Sequence, residues 1–426
     1  MKRCKLVSAL HRMGTAGAAA LCLLLAGCGG TPPPEAPDPR VAAVHAAALT
    51  LDTHVDIPLD FATPAVDPLG ADLQVNLEKM AAGGFDAAFF IVYVPQTART
   101  AENYAQAQAD ALTKFAAIRR MAEELYSERI EIAHTAGDVE RIAAAGKLVA
   151  AIGVENGYVI GTQLSLLDRY HALGARYFGL VHNGDNDLAH SAQPRQELGD
   201  APPGSAGVTE LGAQVIARLN ELGVMVDVSH ASKRSALEAM QLSRAPVIAS
   251  HSSVRALTDH PRNMDDETLQ ALRDDGGVIQ VVAFESYLKT QPPQRAAAVR
   301  ELRDRLAIPS TLGVDDMSAE QRAAYDGGML DIEGRWPRAS VTELVDHIDY
   351  AVRLIGIDHV GISSDFGGGG GVVGWDDAAE TPNVTAELLR RGYDEAQIAK
   401  LWSGNLLRVW REAERVAAEL ADSDGR

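Results

Sequence analysis

The chain has 426 residues, with 39 Lys plus Arg against 58 Asp plus Glu and a formal charge of −19. Hydrophobic residues at 46% and charged residues at 23% are globular values, and the length suits one large α/β domain or two ordinary ones. The acidic balance argues against nucleic acid as the main partner, since phosphate binding needs clustered Lys and Arg, and three Cys cannot build a disulfide-rich scaffold.

Residues 1–27 read as a signal peptide rather than as fold. Lys2, Arg3, Lys5 and Arg12 give a basic start. The apolar run Ala16 to Ala26 is too short to span a bilayer, which takes about 20 apolar residues. It ends in Leu25-Ala26-Gly27-Cys28, which resembles a bacterial lipobox, where the Cys becomes lipid-modified and the new N-terminus. Losing 1–27 removes four basic and no acidic residues, so the charge moves from −19 to −23. Cys28 is then the one Cys left, so no disulfide forms within the mature chain. Residues 28–40 hold Pro32, Pro33, Pro34, Pro37 and Pro39 and are expected to be an extended tether. The barrel domain is expected over 41–426. Gly29 follows the Cys where an Asp would argue for inner-membrane retention, which points to the outer membrane and the periplasm.

The body alternates short apolar runs with helical patterns. Expected strands are Ala48 to His54, Ala87 to Val94, Leu148 to Glu155, Arg176 to His182, Val224 to Ser229, Pro246 to Ser250, Val278 to Phe284 and His359 to Ser364. Eight such runs are the count for a closed parallel (β/α)8 barrel, and several are apolar throughout, as strands buried on both faces should be. Glu131 to Ala133 could add a short extra strand. Ala101 to Tyr126 is one long helix or two, and Leu211 to Leu222 and Val341 to Leu354 carry apolar residues at helical spacing. Residues 289–339 are irregular and read as a partly helical insertion before the last strand, covering the active-site face. A doubly wound fold is disfavoured because no G-x-G-x-x-G follows an early strand, and Gly367 to Gly371 is not a phosphate loop.

Polar residues end six of the eight runs. His54 and Asp56 are two apart, so both project from one face of an extended segment and can reach one cation. Glu155, His182, Ser229-His230, Ser250-His251 and Ser364-Asp365 end five others. In a barrel these ends meet at the C-terminal face, where such enzymes place their sites. Each residue alone is weak: H-x-D occurs by chance, and Glu155 could favour a helix N-terminus. Together the His, Asp and Glu side chains supply nitrogen and oxygen ligands for a borderline cation, zinc first, with Mn or Co open. His45, His134, His171, His190, His347 and His359 read as structural. His260 stands nearer to function, because Asp259-His260-Pro261-Arg262-Asn263 follows the sixth strand.

In this order, Asp52-Thr53-His54-Val55-Asp56, Gly153-Val154-Glu155-Asn156-Gly157, His182-Asn183, Asp227-Val228-Ser229-His230, Ser250-His251-Ser252, Pro261-Arg262-Asn263, Gly361-Ile362-Ser363-Ser364-Asp365-Phe366 and Gly404-Asn405-Leu406-Leu407-Arg408-Val409 resemble the membrane dipeptidase (renal dipeptidase) family. The resemblance runs from about residue 45 to about 412. It implies a metal-dependent-hydrolase-like barrel, two zinc ions per chain and dipeptide hydrolysis by a metal-bridging hydroxide. It makes His54 and Asp56 ligands of one zinc, His230 and His251 ligands of the other, and Glu155 the bridge. It gives His182 the oxyanion, Arg262 the substrate's C-terminal carboxylate, and Asp365 the proton passed to the leaving amine. It also implies a homodimer, here without disulfides. The chain departs from the family in its long 289–339 stretch and at Val282-Ala283-Phe284-Glu285, where no substrate-contacting residue is matched. The competing readings are an amidohydrolase-like enzyme acting on a lactam, lactone or cyclic amide, and a non-catalytic binding lipoprotein.

Overall fold

The computed structural model describes residues 39–309 and 317–424. The predicted signal peptide, Cys28 and the tether as far as Asp38 lie outside the described residues. The described chain starts with a helix, Pro39–Ala47, which holds His45. That helix shifts the first strand: it begins at Leu51, not Ala48, and runs two residues past His54.

Nine strands follow: β1 (Leu51–Asp56), β2 (Ala87–Tyr93), β3 (Ile130–Ile132), β4 (Leu148–Glu155), β5 (Ala175–Gly179), β6 (Met225–Asp227), β7 (Ile248–Ser252), β8 (Val278–Val282) and β9 (Val360–Ser363). Eight are joined in the order β1-β2-β4-β5-β6-β7-β8-β9, and every pair is parallel. A parallel bridge from Val55 to Phe366 closes the ring just past β9, with Asp56 N–H donating to Phe366 O at 2.7 Å. This is the (β/α)8 barrel the sequence predicts. β3, the extra short strand, pairs with β4 beside the ring. β5 ends at Gly179 because the chain then turns, with His182 bridging to Gly184.

The helices between the strands follow ordinary rules. Thr100 caps Ala101–Arg119 by accepting the Asn103 N–H, and the helix then widens into a π-helical segment, Arg120–Leu125. Val341–Ile355 starts at a capping box of Ser340 and Glu343 and buries Val341, Leu344, Val345, Ile348, Ala351 and Ile355 along one stripe. Between β8 and β9 the insertion forms two helices, Pro293–Arg305 and Ala319–Arg335. They share a small core of their own, formed by Leu302, Ile308, Met317, Tyr325 and Ile332.

Successive strand residues divide between two cores. Ala88, Phe90 and Val92 of β2 face the surrounding helices, while Ala87, Phe89 and Ile91 face the barrel interior. That interior is sealed at its N-terminal end by Leu406, Val409 and Trp410 from the helix Asn405–Asp424. The pairing register sets Phe89 beside Ala151, Ile91 beside Gly153, and Tyr93 beside Glu155. Each interior row therefore climbs from apolar to polar. Gly153 has no side chain for a steric reason: a Cβ there would lie 2.2 Å from the Tyr177 ring. Among the described residues, no helix is long and apolar enough to cross a membrane.

Candidate metal centre

The C-terminal ends of the strands bring the predicted ligands together. His54 Nε2 lies 3.4 Å from Asp56 Oδ2, 3.5 Å from Glu155 Oε2 and 3.8 Å from Asp365 Oδ1. On the other side, Glu155 Oε1 lies 3.0 Å from His230 Nε2, 3.3 Å from His251 Nε2 and 3.9 Å from His182 Nε2. One carboxylate thus turns one oxygen to each half of the cluster. Three overlapping groups have the spacing of cation ligands: His54, Glu155 and His251; Glu155, His182 and His230; and His54, Asp56 and Asp365.

The histidine tautomers suit a cation. His54 Nδ1 meets the Tyr177 hydroxyl at 2.9 Å, and that hydroxyl donates to Thr53 O, so the imidazole must donate. His230 Nδ1 faces Asn183 Oδ1 at 2.9 Å. His251 Nδ1 meets Ser250 Oγ at 2.8 Å, and Ser250 Oγ donates to Asp227 Oδ2 at 2.6 Å. In all three the Nδ1 carries a proton and the Nε2 points to the centre, its lone pair free on His230 and His251 and open to a cation on His54 once a second proton leaves, as ligand imidazoles require. Two such lone pairs, on His230 and His251, face each other at 3.0 Å, which is repulsive without positive charge between them. His54 Nε2 and Asp56 Oδ1 are buried with no hydrogen-bond partner. These unpaired atoms fit a metal-binding donor set of nitrogen and oxygen.

The electrostatics agree. Burial alone would lower the pKa of His54, but Glu155 and Asp56 raise it well above the ordinary value. Burial and neighbouring cations hold His230 and His251 well below theirs. Burial would raise Glu155, yet the histidines around it hold the carboxylate well below its usual range. Asp365 is pushed well up by burial and by Asp56 and Glu155. The cluster is therefore a sink for positive charge. His230 and Asp365 also adopt left-handed backbone, φ 64° and 59°, the uncommon geometry that strand ends at functional sites often store.

Asp56, Glu155, His182, His230, His251 and Asp365 all line a cavity of about 1450 Å³. Arg262, 3% exposed, lines a second cavity of about 990 Å³ and acts electrostatically on His230 and Asp365. Its Nη2 donates to His251 O at 3.0 Å, its guanidinium lies over the Tyr287 ring at 5.4 Å, and its Nε is buried without a partner. His260 does not line either cavity; its ring lies 4.6 Å from that of Tyr287, tilted by 35°, and its Nδ1 accepts the Arg262 N–H.

The remaining histidines hold the scaffold. His45 bonds Thr385 and Gly83 O, His359 donates to Gly277 O, and His190 pairs with Asp185. His134 and His171 lie beside Arg176, which donates to the backbone oxygen of both. His347 is buried between the Val254 N–H, bonded to Nδ1, and Leu288 O, bonded to Nε2.

Sequence reasoning missed Tyr93, Lys114 and Tyr287, which also line the main cavity. Tyr93 had a signal: it is the polar end of the second apolar run, and it pairs with Glu155. Tyr287 lies two residues past the unmatched Val282–Glu285 stretch. Lys114 had none, since a lone Lys in a helix reads as solvated. From the insertion, Arg295, Tyr325, Met329 and Glu333 reach the same cavity, as a cover over this face should.

Comparison with known proteins extends this picture. The probable dipeptidase PvdM from Pseudomonas aeruginosa is similar in structure, with TM-score 0.78 and 37% identity over 89% of this chain and 98% of that one. A metallo peptidase from Rhodobacter sphaeroides, solved with a phosphinate mimic of the dipeptide L-Ala-D-Ala, has TM-score 0.66 and 25% identity over 85% of this chain and 99% of that one. Dipeptidase tcpJ of Claviceps purpurea (strain 20.1) is 30% identical over 351 residues, 81% of this chain and 70% of that protein. The membrane dipeptidase profile, peptidase family M19, matches residues 39–424. The chain belongs to the membrane dipeptidase family and is a metallo-dipeptidase, a hydrolase acting on dipeptides.

Proposed function

We propose that the chain cleaves the peptide bond of dipeptides at a centre of two zinc ions. His54 and Asp56 would hold one ion, His230 and His251 the other, with Glu155 shared. The observation that carries this reading is the division of Glu155, one oxygen 3.5 Å from His54 and the other 3.0 Å from His230. When bound, such a pair of ions supplies Lewis acidity and an activated water. The phosphinate dipeptide mimic bound by the Rhodobacter sphaeroides relative supports a dipeptide as the occupant.

The chain's own residues then have distinct tasks. His182 is lowered in pKa by burial, and its Nε2 faces Glu155. It donates to the oxygen on which charge develops, a role worth about 2.7–4 kcal/mol where measured elsewhere. Arg262 receives the C-terminal carboxylate, which gives its unpartnered Nε an acceptor. Longer peptides lack a carboxylate at that distance. Asp365, kept prone to protonation by burial, takes a proton from the nucleophile side and delivers it to the leaving amine.

The test uses soluble protein from Arg40 onward. Metal analysis should give about two zinc per chain, and dipeptides should be hydrolysed while tripeptides are not. Metal without dipeptide turnover would sink the reading in favour of a lactam or cyclic-amide hydrolase. Arg262→Ala should raise KM more than it lowers kcat; an unchanged KM removes the carboxylate clamp.

We also infer a lipid anchor at Cys28 facing the periplasm, on the sequence grounds given above. Cys28→Ser should move the full chain from the membrane fraction to the soluble one. Retention in the membrane would refute it.

A further inference from the structure

The main cavity has cations on its wall, and nearly all are spent. Lys79 pairs with Asp377, Arg295 with Glu285, Arg322 with Asp326, and Arg338 with Asp376. Lys114 differs. It is 7% exposed, lines the cavity, and makes no hydrogen bond or ion pair among the described residues. Its ammonium rests over the Tyr93 ring, 5.5 Å from the centroid, and Tyr93 stands beside His182 with ring centroids 4.8 Å apart. Among the described residues no carboxylate lies within ion-pair distance of this buried ammonium; Asp56, Glu155 and Asp110 act on it only from farther off, which leaves room for a directly bonded anion.

The topology gives Lys114 a partner across the mouth. Its helix, Ala101–Arg119, follows β2, and Arg262 follows β7. In the ring order β1-β2-β4-β5-β6-β7-β8-β9, β2 and β7 are four places apart, so they are diametrically opposed. The ligand cluster lies between them. With a substrate's C-terminal carboxylate at Arg262, the N-terminal residue extends towards the β1–β2 side. On that side Tyr93 and Lys114 line the cavity and are left for its side chain.

We propose that Lys114 is a specificity-determining residue that selects dipeptides with a carboxylate side chain, Asp or Glu, at the N-terminal position. This inference rests on the dipeptidase reading above. The side-chain carboxylate accepts a charge-assisted hydrogen bond from the Lys114 ammonium, which Tyr93 holds in place. The contact lies away from the scissile bond, so it acts on binding more than on chemistry.

Glu-Ala and Gln-Ala test this directly, because they are nearly isosteric and differ in charge. The zinc-loaded enzyme should favour Glu-Ala in kcat/KM by about 10–100-fold, mostly through KM, as hydrogen bonds to charged groups allow. Lys114→Met should bring the ratio close to one, and Lys114→Arg should restore most of it. A wild-type ratio near or below one overturns the proposal without any variant. So does a ratio that Lys114→Met leaves unchanged. Ala-Ala is the control: if it is cleaved but the ratio is one, only this inference fails. If no dipeptide is cleaved, the functional reading itself fails.

Discussion

At the lower end of the barrel, Phe89 packs 5.1 Å from Tyr177 and 5.4 Å from Trp410, ring to ring. Four residues further up the same strand, Tyr93 stands beside Glu155 and the histidine cluster. β4 makes the same passage, from Val149 and Ala151 to Glu155. The two ends share strands and closure but bury opposite chemistry. The lower end gains from every apolar contact it makes. The upper end holds carboxylates and imidazoles whose mutual repulsion only added positive charge relieves. Stability is concentrated at one pole and reactivity at the other, and substitutions should separate them.

The largest expected effect is at the upper pole. Asp365→Asn should lower kcat by about 10²–10⁴-fold, the range for losing a positioned proton carrier, while the protein stays folded and keeps its metal. Normal turnover, read by dipeptide hydrolysis, would remove its role. At the lower pole, Trp410→Ala should cost about 3–5 kcal/mol in denaturant unfolding, as large aromatic truncations do in cores. Its activity per folded molecule should stay close to wild type. A loss there as large as that of Asp365→Asn would erase the contrast between the poles.

The third effect lies outside both poles. Burial holds His347 down at about 4 against an ordinary 6.5. The folded state therefore binds fewer protons at this residue than the unfolded chain does. Stability from His347 is complete above pH 6.5 and is lost as pH falls from 6.5 towards 4, by up to roughly 3 kcal/mol. His347→Gln should flatten the fall in melting temperature between pH 7.5 and 5. An equally steep fall in the variant would assign the pH dependence elsewhere. The smallest effect sits where the poles meet. Tyr177→Phe removes the hydroxyl that fixes His54 and should weaken metal affinity by about 10–100-fold, by calorimetric titration, with little change in unfolding.

The upper pole was far more legible in the sequence than the detail around it. In a parallel barrel the site draws on strand ends, and with no Cys after Cys28 the ligands available are His, Asp or Glu, so an apolar run followed by such a residue is visible without coordinates. His54, Asp56, Glu155, His182, His230, His251 and Asp365 do come together. Strand ends were less legible. β1 and β5 differ by up to three residues, because the Pro39–Ala47 helix and the turn at His182 depend on packing, not on local pattern. Arg262 was named from its motif, but its burial over the Tyr287 ring was not readable. Lys114 could not be found at all. Its helix has ordinary helical composition, and only the fold turns that side chain inward. The hydrogen bonds that set the tautomers, from Tyr177, Asn183 and Ser250, likewise depend on three-dimensional neighbours.

Tyr177 touches both poles at once. Its ring belongs to the aromatic stack with Phe89, above Trp410, and its hydroxyl fixes His54. Cation loading should therefore change the near-ultraviolet circular dichroism of this stack and the emission of Trp410, although the proposed metal centre is at the far end of the barrel. The fold thus contains its own optical gauge of occupancy, readable without dye, label or substrate.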